Sequence, residues 1–347
     1  METLWFVCLV AMVGGYVVLD GFDFGAGILL PWIARTEEEK KSVYRAIGPI
    51  WDGNEVWLIA GGGLLFFAFP KAYASALSGF YLAIVIFLWV LILRGISVEI
   101  RSQVDHPLWR SFWDGVFFLA SGLAALILGG FLGNLVTGVP IEGSGSWFLP
   151  LWTYFLPTSR HGIFDELTLL FSVLSVVSLG RHGGTFLIVK TEGALQERIR
   201  EVTLRLWNVE VAMIAFSVGL MVATRHFLLP RFGQPLGLLF LGLAASSLAL
   251  LFFSLRRGRE LLPFLSSSLF LFSAVGATAV GLYPYLLLSS VDRAQSLTVL
   301  NAAASPPTLR MGVVWFGIGA VLILVYTVVA HRSFRGKVRS RGEGYGA

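Results

Sequence analysis

Charge is what this sequence has least of. Of its 347 residues only 14% are Asp, Glu, Lys or Arg, while 56% are hydrophobic; a soluble domain carries about 25% charge. Such a chain cannot cover a globule with a polar surface, which excludes a water-soluble fold and predicts a polytopic membrane protein. Cysteine is almost missing: the single Cys8 excludes intramolecular disulfides and Cys-based metal clusters. Histidine is scarce, and His106, His161, His182, His226 and His331 are all expected in loops or at helix ends. A transmembrane b-type haem usually needs His or Met axial ligands inside a bundle, so the chain gives little sign of holding a haem by itself; Met12, Met213 and Met221 read as packing. No P-loop, no GxGxxG after a strand, no Ser-His-Asp set and no metal-ligand spacing is found, so a complete active site within this chain is not expected. The net charge of +5 reads as loop charge facing an anionic membrane surface and not as a nucleic-acid footprint.

What is abundant is apolar length. Segments of roughly 20 apolar residues qualify as transmembrane helices, and nine are predicted, at about 4–33, 50–70, 72–94, 113–136, 162–180, 207–228, 235–255, 261–284 and 309–331. The fold class is therefore all-α, a single integral membrane domain over 1–347. The first span follows no basic n-region and no small-residue cleavage site, so it reads as retained and not as a signal peptide. Trp32, Trp51, Tyr73, Trp147, Trp152, Tyr154, Tyr283 and Tyr285 gather at span ends, as an interfacial aromatic belt would. The stretches 34–48, 94–112, 181–206, 256–260 and 331–347 hold 20 of the 26 basic residues. The positive-inside rule then puts the N-terminus outside and the C-terminus in the cytoplasm.

Against this background, carboxylates in the first spans stand out. Asp20 and Asp23 lie late in the first, and Asp52 and Glu55 open the second. A charged carboxylate at the bilayer centre costs roughly 2.5–3.5 kcal/mol on insertion scales, so such residues face a protein interior or a hydrated path. Each pair is three residues apart and shares a helix face. With the N-terminus outside, all four converge on the cytoplasmic half, together with Arg94, Glu99, Arg101 and Asp114. That pattern suits proton uptake from the cytoplasm. The alternative is that Asp52 and Asp114 cap their helices while Arg94 neutralises a neighbour. Gly21, Gly25 and Gly27 flank the first pair, and Gly61-Gly62-Gly63 is expected to serve tight helix packing. The second half of the chain shows almost no charge within its spans.

The strings Leu19-Asp20-Gly21-Phe22-Asp23-Phe24-Gly25 and Gly48-Pro49-Ile50-Trp51-Asp52-Gly53-Asn54-Glu55-Val56-Trp57-Leu58 are specific. They are followed in order by Phe69-Pro70, Arg94-Gly95, Glu99-Ile100-Arg101, Gly133-Asn134, His182-Gly183-Gly184, Lys190-Thr191-Glu192-Gly193 and Ser296-Leu297-Thr298-Val299-Leu300-Asn301. On these motifs the chain resembles subunit II of the cytochrome bd-type quinol oxidases along essentially its whole length; the cyanide-insensitive bd-like oxidases share this subunit. The resemblance implies a multi-pass protein of a bacterial or archaeal cytoplasmic membrane, paired with a haem-bearing subunit I. That partner would ligate two b-type haems and one d-type haem, oxidise quinol, and reduce oxygen to water with cytoplasmic protons. A small single-helix subunit and a structural quinone occur in some members. Carried onto this sequence, Asp52 becomes the leading proton-uptake carboxylate and Trp57 the candidate for the oxygen channel. Asp20 and Asp23 become relay or subunit-contact residues, and Glu55 joins them at a position where members also carry Gln. Arg94, Glu99, Arg101 and Asp114 are assigned to ion pairing, and no metal ligand is assigned. The competing class is a proton- or cation-coupled secondary transporter, which needs inverted repeats and broken helices; a pure scaffold with helix-capping carboxylates is the third reading.

Overall fold

The structure is a computed structural model that describes residues 1–141, 147, 166–224 and 229–338. Trp152, Tyr154, Arg160, His161, Arg225 and His226, the first residues of the expected 162–180 span and the last of 207–228 lie outside them, as does most of the 137–160 loop. The helices are α1 (Glu2–Ile33), α2 (Glu37–Ile47), α3 (Trp51–Ala68), α4 (Pro70–Gly79), α5 (Tyr81–Ile100), α6 (Pro107–Thr137), α7 (Glu166–Lys190), α8 (Gly193–Thr224), α9 (Leu229–Phe232), α10 (Pro235–Arg256), α11 (Leu261–Leu282) and α12 (Pro306–Ser333). Eight of these are long and apolar enough to cross a membrane, or nine if α3 and α4, bent by 119°, count as one broken span.

Proline sets several boundaries. Pro107, Pro235 and Pro306 open α6, α10 and α12, where a missing N–H is harmless and φ is already helical. Pro70 instead follows Phe69 directly and ends α3, so the expected 72–94 span divides into α4 and the shifted α5. Two stretches expected as loops are helical. Residues 34–48 hold α2, which opens on a capping box: Thr36 Oγ1 accepts from the Glu39 amide at 3.3 Å while Glu39 Oε2 accepts from the Thr36 amide at 3.2 Å. In 181–206, α7 runs on to Lys190 and α8 starts at Gly193, whose φ of +65° makes the two-residue turn possible.

α1 and α7 run through the centre. α3 and α6 pack on α1, with α5 packed on α6, and α8, α10 and α11 complete the other side. The central crossing needs glycine on both helices. A Cβ on Gly25 would lie 2.1 Å from the Leu179 carbonyl oxygen and 2.6 Å from Gly183 Cα. By contrast Gly62 and Gly63 have nothing within 4 Å, and only the buried Gly61 faces α1, where a Cβ would lie 3.6 Å from Met12 Cβ, so one glycine of the three serves packing inside this chain.

One end of the molecule carries α2, the α7–α8 turn and the last described residues, Val338 donating to the Lys190 carbonyl at 2.8 Å. The other end carries the N-terminus, with Thr3 bonded to Tyr283 at 3.0 Å, and a small antiparallel pair, β1 (Tyr285–Leu287) with β2 (Leu297–Thr298). The N-terminus and the last described residues therefore lie at opposite ends. Trp147, expected in the aromatic belt, is instead 6% exposed and donates to Ser75 Oγ at 3.1 Å.

Candidate functional site

Helical spacing brings the acidic residues of α1 to the seam between α3 and α5. Asp20, Asp23 and Arg94 are all 0% exposed. Arg94 of α5 donates through Nη2 to Asp20 Oδ1 and stands 3.3 Å from Glu55 Oε1 of α3. Its guanidinium lies over the Phe24 and Trp51 rings, at 4.8 and 5.4 Å from their centroids. Asp23 Oδ2 accepts from Asn54 Nδ2 at 2.8 Å, and the Trp51 indole donates to Glu99 Oε1 at 3.1 Å. The cluster thus gathers three carboxylates around one guanidinium. Tyr16 Oη, Asp20 Oδ2, Asp23 Oδ1, Glu55 Oε1 and Arg94 Nε and Nη1 have no hydrogen-bond partner among the described residues. Buried polar atoms in such number are ordinarily satisfied by internal water.

Asp52 stands apart from this cluster. It is exposed in the first turn of α3, one helical turn before the partly buried Glu55. It does not cap the helix, because the N-cap is Ile50 and no side chain bonds there. Asp114 is no cap either: α6 begins at Pro107, where the His106 ring accepts from the Leu108 amide at 3.3 Å. Asp114 instead sits two turns in, bonded to Arg101 Nε at 2.5 Å and to Lys40 Nζ at 2.9 Å. Arg101 also grips Glu37 with two bonds, at 3.0 and 3.1 Å, and Arg198 of α8 holds Glu39 at 3.0 and 3.2 Å. These pairs strap the amphipathic α2 across the ends of α5, α6 and α8. Burial, with Asp114 alongside, pushes the Tyr44 phenol well above its ordinary range. Burial alone would raise Glu39 as well, but bonds from Arg198 and from the Arg35 and Thr36 amides outweigh it and hold that carboxyl below its usual value.

Trp57 is 8% exposed. Its ring lies where a Cβ on Gly15 would be, 2.2 Å away, and its indole donates to Thr327 Oγ1 of α12 at 3.1 Å.

The second half is less apolar inside than its sequence suggests. Arg181 of α7 and Glu210 of α8 are both fully buried and form a two-bond pair. Arg181 Nη1 donates to Ser267 Oγ of α11 at 2.7 Å, and that hydroxyl lies 2.6 Å from His182 Nδ1. His182 Nε2 is 2.8 Å from the Val18 carbonyl, which can only accept. The proton therefore sits on Nε2, Nδ1 accepts from Ser267, and both ring nitrogens are committed. So His182 is a span residue and not a loop one, and it has no nitrogen left for iron. His331 bonds the Thr327 carbonyl through Nδ1 at 2.9 Å and packs edge-on against Phe22. No group of three or more His, Cys, Asp or Glu among the described residues could hold a metal.

Asn54, Tyr16 and Glu210 were not anticipated. Asn54 was legible within the Trp51–Glu55 string as a buried partner in search of a carboxylate. Glu210 was legible as an acid in an apolar run one helix after Arg181.

Comparison with known proteins agrees with this architecture. Residues 1–334 match the family described as cytochrome bd terminal oxidase subunit II. The probable cytochrome oxidase subunit 2 of Haemophilus influenzae is 31% identical, over 97% of this chain and 95% of that protein. The cytochrome bd ubiquinol oxidase subunit 2 of Bacillus subtilis is also 31% identical, over 94% and 93%. A chain of the bd oxidase structure from Geobacillus thermodenitrificans shares the fold, with a TM-score of 0.75 at 19% identity, over 96% of this chain and 98% of that one. The chain therefore belongs to the cytochrome bd terminal oxidase subunit II family.

Proposed function

We propose that this protein is the haem-free subunit of a bd-type quinol:oxygen oxidoreductase, and that it admits the protons consumed in oxygen reduction through the end closed by α2. The observation that carries this reading is the graded burial from exposed Asp52, through half-buried Glu55, to the fully buried group of Asp23, Asp20 and Arg94. A carboxylate ladder with orphaned polar atoms along it supplies sites that take up and release protons through bound water. The α2 end is assigned to the cytoplasm. Arg94 and Arg181 lie inside their helices and leave the loop tally, yet among the described residues 16 basic residues still favour that end over the four of the other, Lys71, Arg231, Arg293 and Arg310.

Haem is assigned to the partner subunit in this reading; what supports it is that both ring nitrogens of the fully buried His182 are already occupied. The partner is assigned to the face of α3 and α12, where Gly62 and Gly63 are open and Met311, Val314 and Trp315 project outward. Between α1, α3 and α12 lies an apolar cleft of about 590 Å³. Its Trp5 indole already donates to the Leu309 carbonyl and its Thr308 hydroxyl is bonded to Ser305, so these residues do not fit a quinone head group. The neighbouring apolar seam around Trp57 is assigned to oxygen access. A transporter is disfavoured because the broken helix lies at the wrong end: Ala68 is about 24 Å along α3 from Asp52 at 1.5 Å per residue.

The test is Asp52→Asn in the purified complex. Asp52 is exposed, so stability stays within about 0.5 kcal/mol and haem content is unchanged, while oxygen consumption falls about 10²-fold, as for loss of a positioned proton-transfer group. Full turnover in that variant would overturn the uptake role.

A further inference from the structure

A second cleft, of about 490 Å³, opens between α10 and α11 at the α2 end. Its walls are apolar and outward-facing: Leu250, Phe253, Leu262 and Leu265 are 39–55% exposed. Its rim is charged, unlike that of the α1–α3–α12 cleft, which no charged residue lines. The five-residue stretch 256–260 turns tightly through Gly258, whose φ of +71° favours glycine, and sets Arg257 and Arg259 at the mouth.

Three further contacts leave that rim with unbalanced positive charge. The exposed Arg257 and Arg259 side chains have no hydrogen bond or ion pair among the described residues. The single acid at the rim, Glu260, is already engaged by Lys337 Nζ and Gln196 Nε2, both at 2.8 Å. One carbonyl at the end of α10 and two in the turn after it, which would repel an anion, are taken up by Arg200, bonded to Leu255, Gly258 and Arg259 at 3.1–3.3 Å. An apolar slot below two free guanidiniums matches the two parts of one molecule class. A free anion would leave the slot uncovered, and a zwitterionic lipid would bring its own cation to a rim that already has two.

We propose that the α10–α11 cleft is a binding site for an anionic phospholipid, with its phosphate held by Arg257 and Arg259 and an acyl chain lying along Leu250, Phe253, Leu262 and Leu265. Basic pockets between membrane helices recognise anionic head groups in this way.

The test uses the purified complex with this full chain, in nanodiscs of phosphatidylcholine containing a minor share of phosphatidylglycerol. Lipid association is read by spin-labelled phosphatidylglycerol and phosphatidylcholine, and retained lipid by native mass spectrometry. The wild type selects phosphatidylglycerol. Arg257→Gln with Arg259→Gln lowers that selectivity about 30-fold, from roughly fivefold per basic residue. Leu265→Trp, which fills the slot and keeps both charges, reduces the retained phosphatidylglycerol. Arg332→Gln with Arg335→Gln, two exposed charges at the same end, leaves it intact. Equal binding of both lipids by the wild type, or wild-type retention in the double Arg257 and Arg259 variant, overturns the site. An equal loss in the Arg332 and Arg335 variant assigns the effect to diffuse surface charge and also overturns it.

Discussion

Arg94→Gln is the sharpest perturbation of the buried cluster. The guanidinium bonds Asp20, lies 3.3 Å from Glu55, and shares with Asp23 an interior in which all three α1 and α5 groups are 0% exposed. Gln restores a donor but not the charge, so carboxylates without a cation remain buried. Removing one partner of a buried ion pair destabilises by about 3–5 kcal/mol, a factor of about 150 to 5,000 in the unfolding equilibrium. A lost neutral hydrogen bond would account for only about 1 kcal/mol, so the two explanations separate cleanly. The assay is unfolding of the purified complex in mixed micelles with rising SDS, followed by tryptophan fluorescence. Adding Asp20→Asn to Arg94→Gln removes the stranded charge and returns more than 1 kcal/mol, a coupling that a double-mutant cycle isolates. Stability of Arg94→Gln within 0.5 kcal/mol of wild type, or a double variant no better than the single, would refute the electrostatic account.

Gly25→Ala drives a methyl group into the backbone of α7, which cannot yield, and costs about 1–3 kcal/mol in the same assay; Gly242→Ala, with nothing within 4 Å, is neutral. Ser267→Ala strands Arg181 Nη1 and His182 Nδ1 together and destabilises by about 1–3 kcal/mol, while Ser268→Ala on the next position changes little. The strap between α2 and α8 is pH-dependent in one direction. Glu39 is held below its usual value of 4.5, so its contribution is complete above that pH and is lost as pH falls through the lower folded value. Hydrogen exchange at the first turn of α2 therefore accelerates in acid, and Glu39→Gln shows that faster exchange already at neutral pH. Glu39 is only partly buried, at the edge of the fold, so solvent screens the pair, the effect stays local and global unfolding is unmoved.

Span count and the location of the acidic group were legible because they rest on length, hydropathy and the energetic oddity of Asp20 and Asp23 in an apolar run. The partnerships were not. Nothing in the sequence says that Asp23 meets Asn54 while Asp20 meets Arg94, since helix rotation and crossing geometry decide which of two carboxylates three residues apart faces which neighbour. Hydropathy also ends a span where charge begins, so Arg181 and His182 read as loop although α7 continues to Lys190. Their burial depends on Glu210 and Ser267, two helices that the local sequence does not contain. The same limit hid α2: its polar face lowers mean hydropathy to that of a loop, and only the Thr36–Glu39 spacing carries the helical signal.

The Asp20–Arg94 pair has a consequence for how the chain enters a bilayer. Its members are 74 residues apart, and synthesis at 5–20 residues per second separates their appearance by about 4–15 s. Throughout that interval α1 holds two carboxylates with no cation, each unfavourable in lipid by about 2.5–3.5 kcal/mol. Arg181 and Glu210, 29 residues apart on successive helices, wait a far shorter time. The first helix made is thus the one least able to leave the insertion machinery alone. Its release is expected to wait for α5, so that the membrane-crossing helices α1, α3 and α5 settle together.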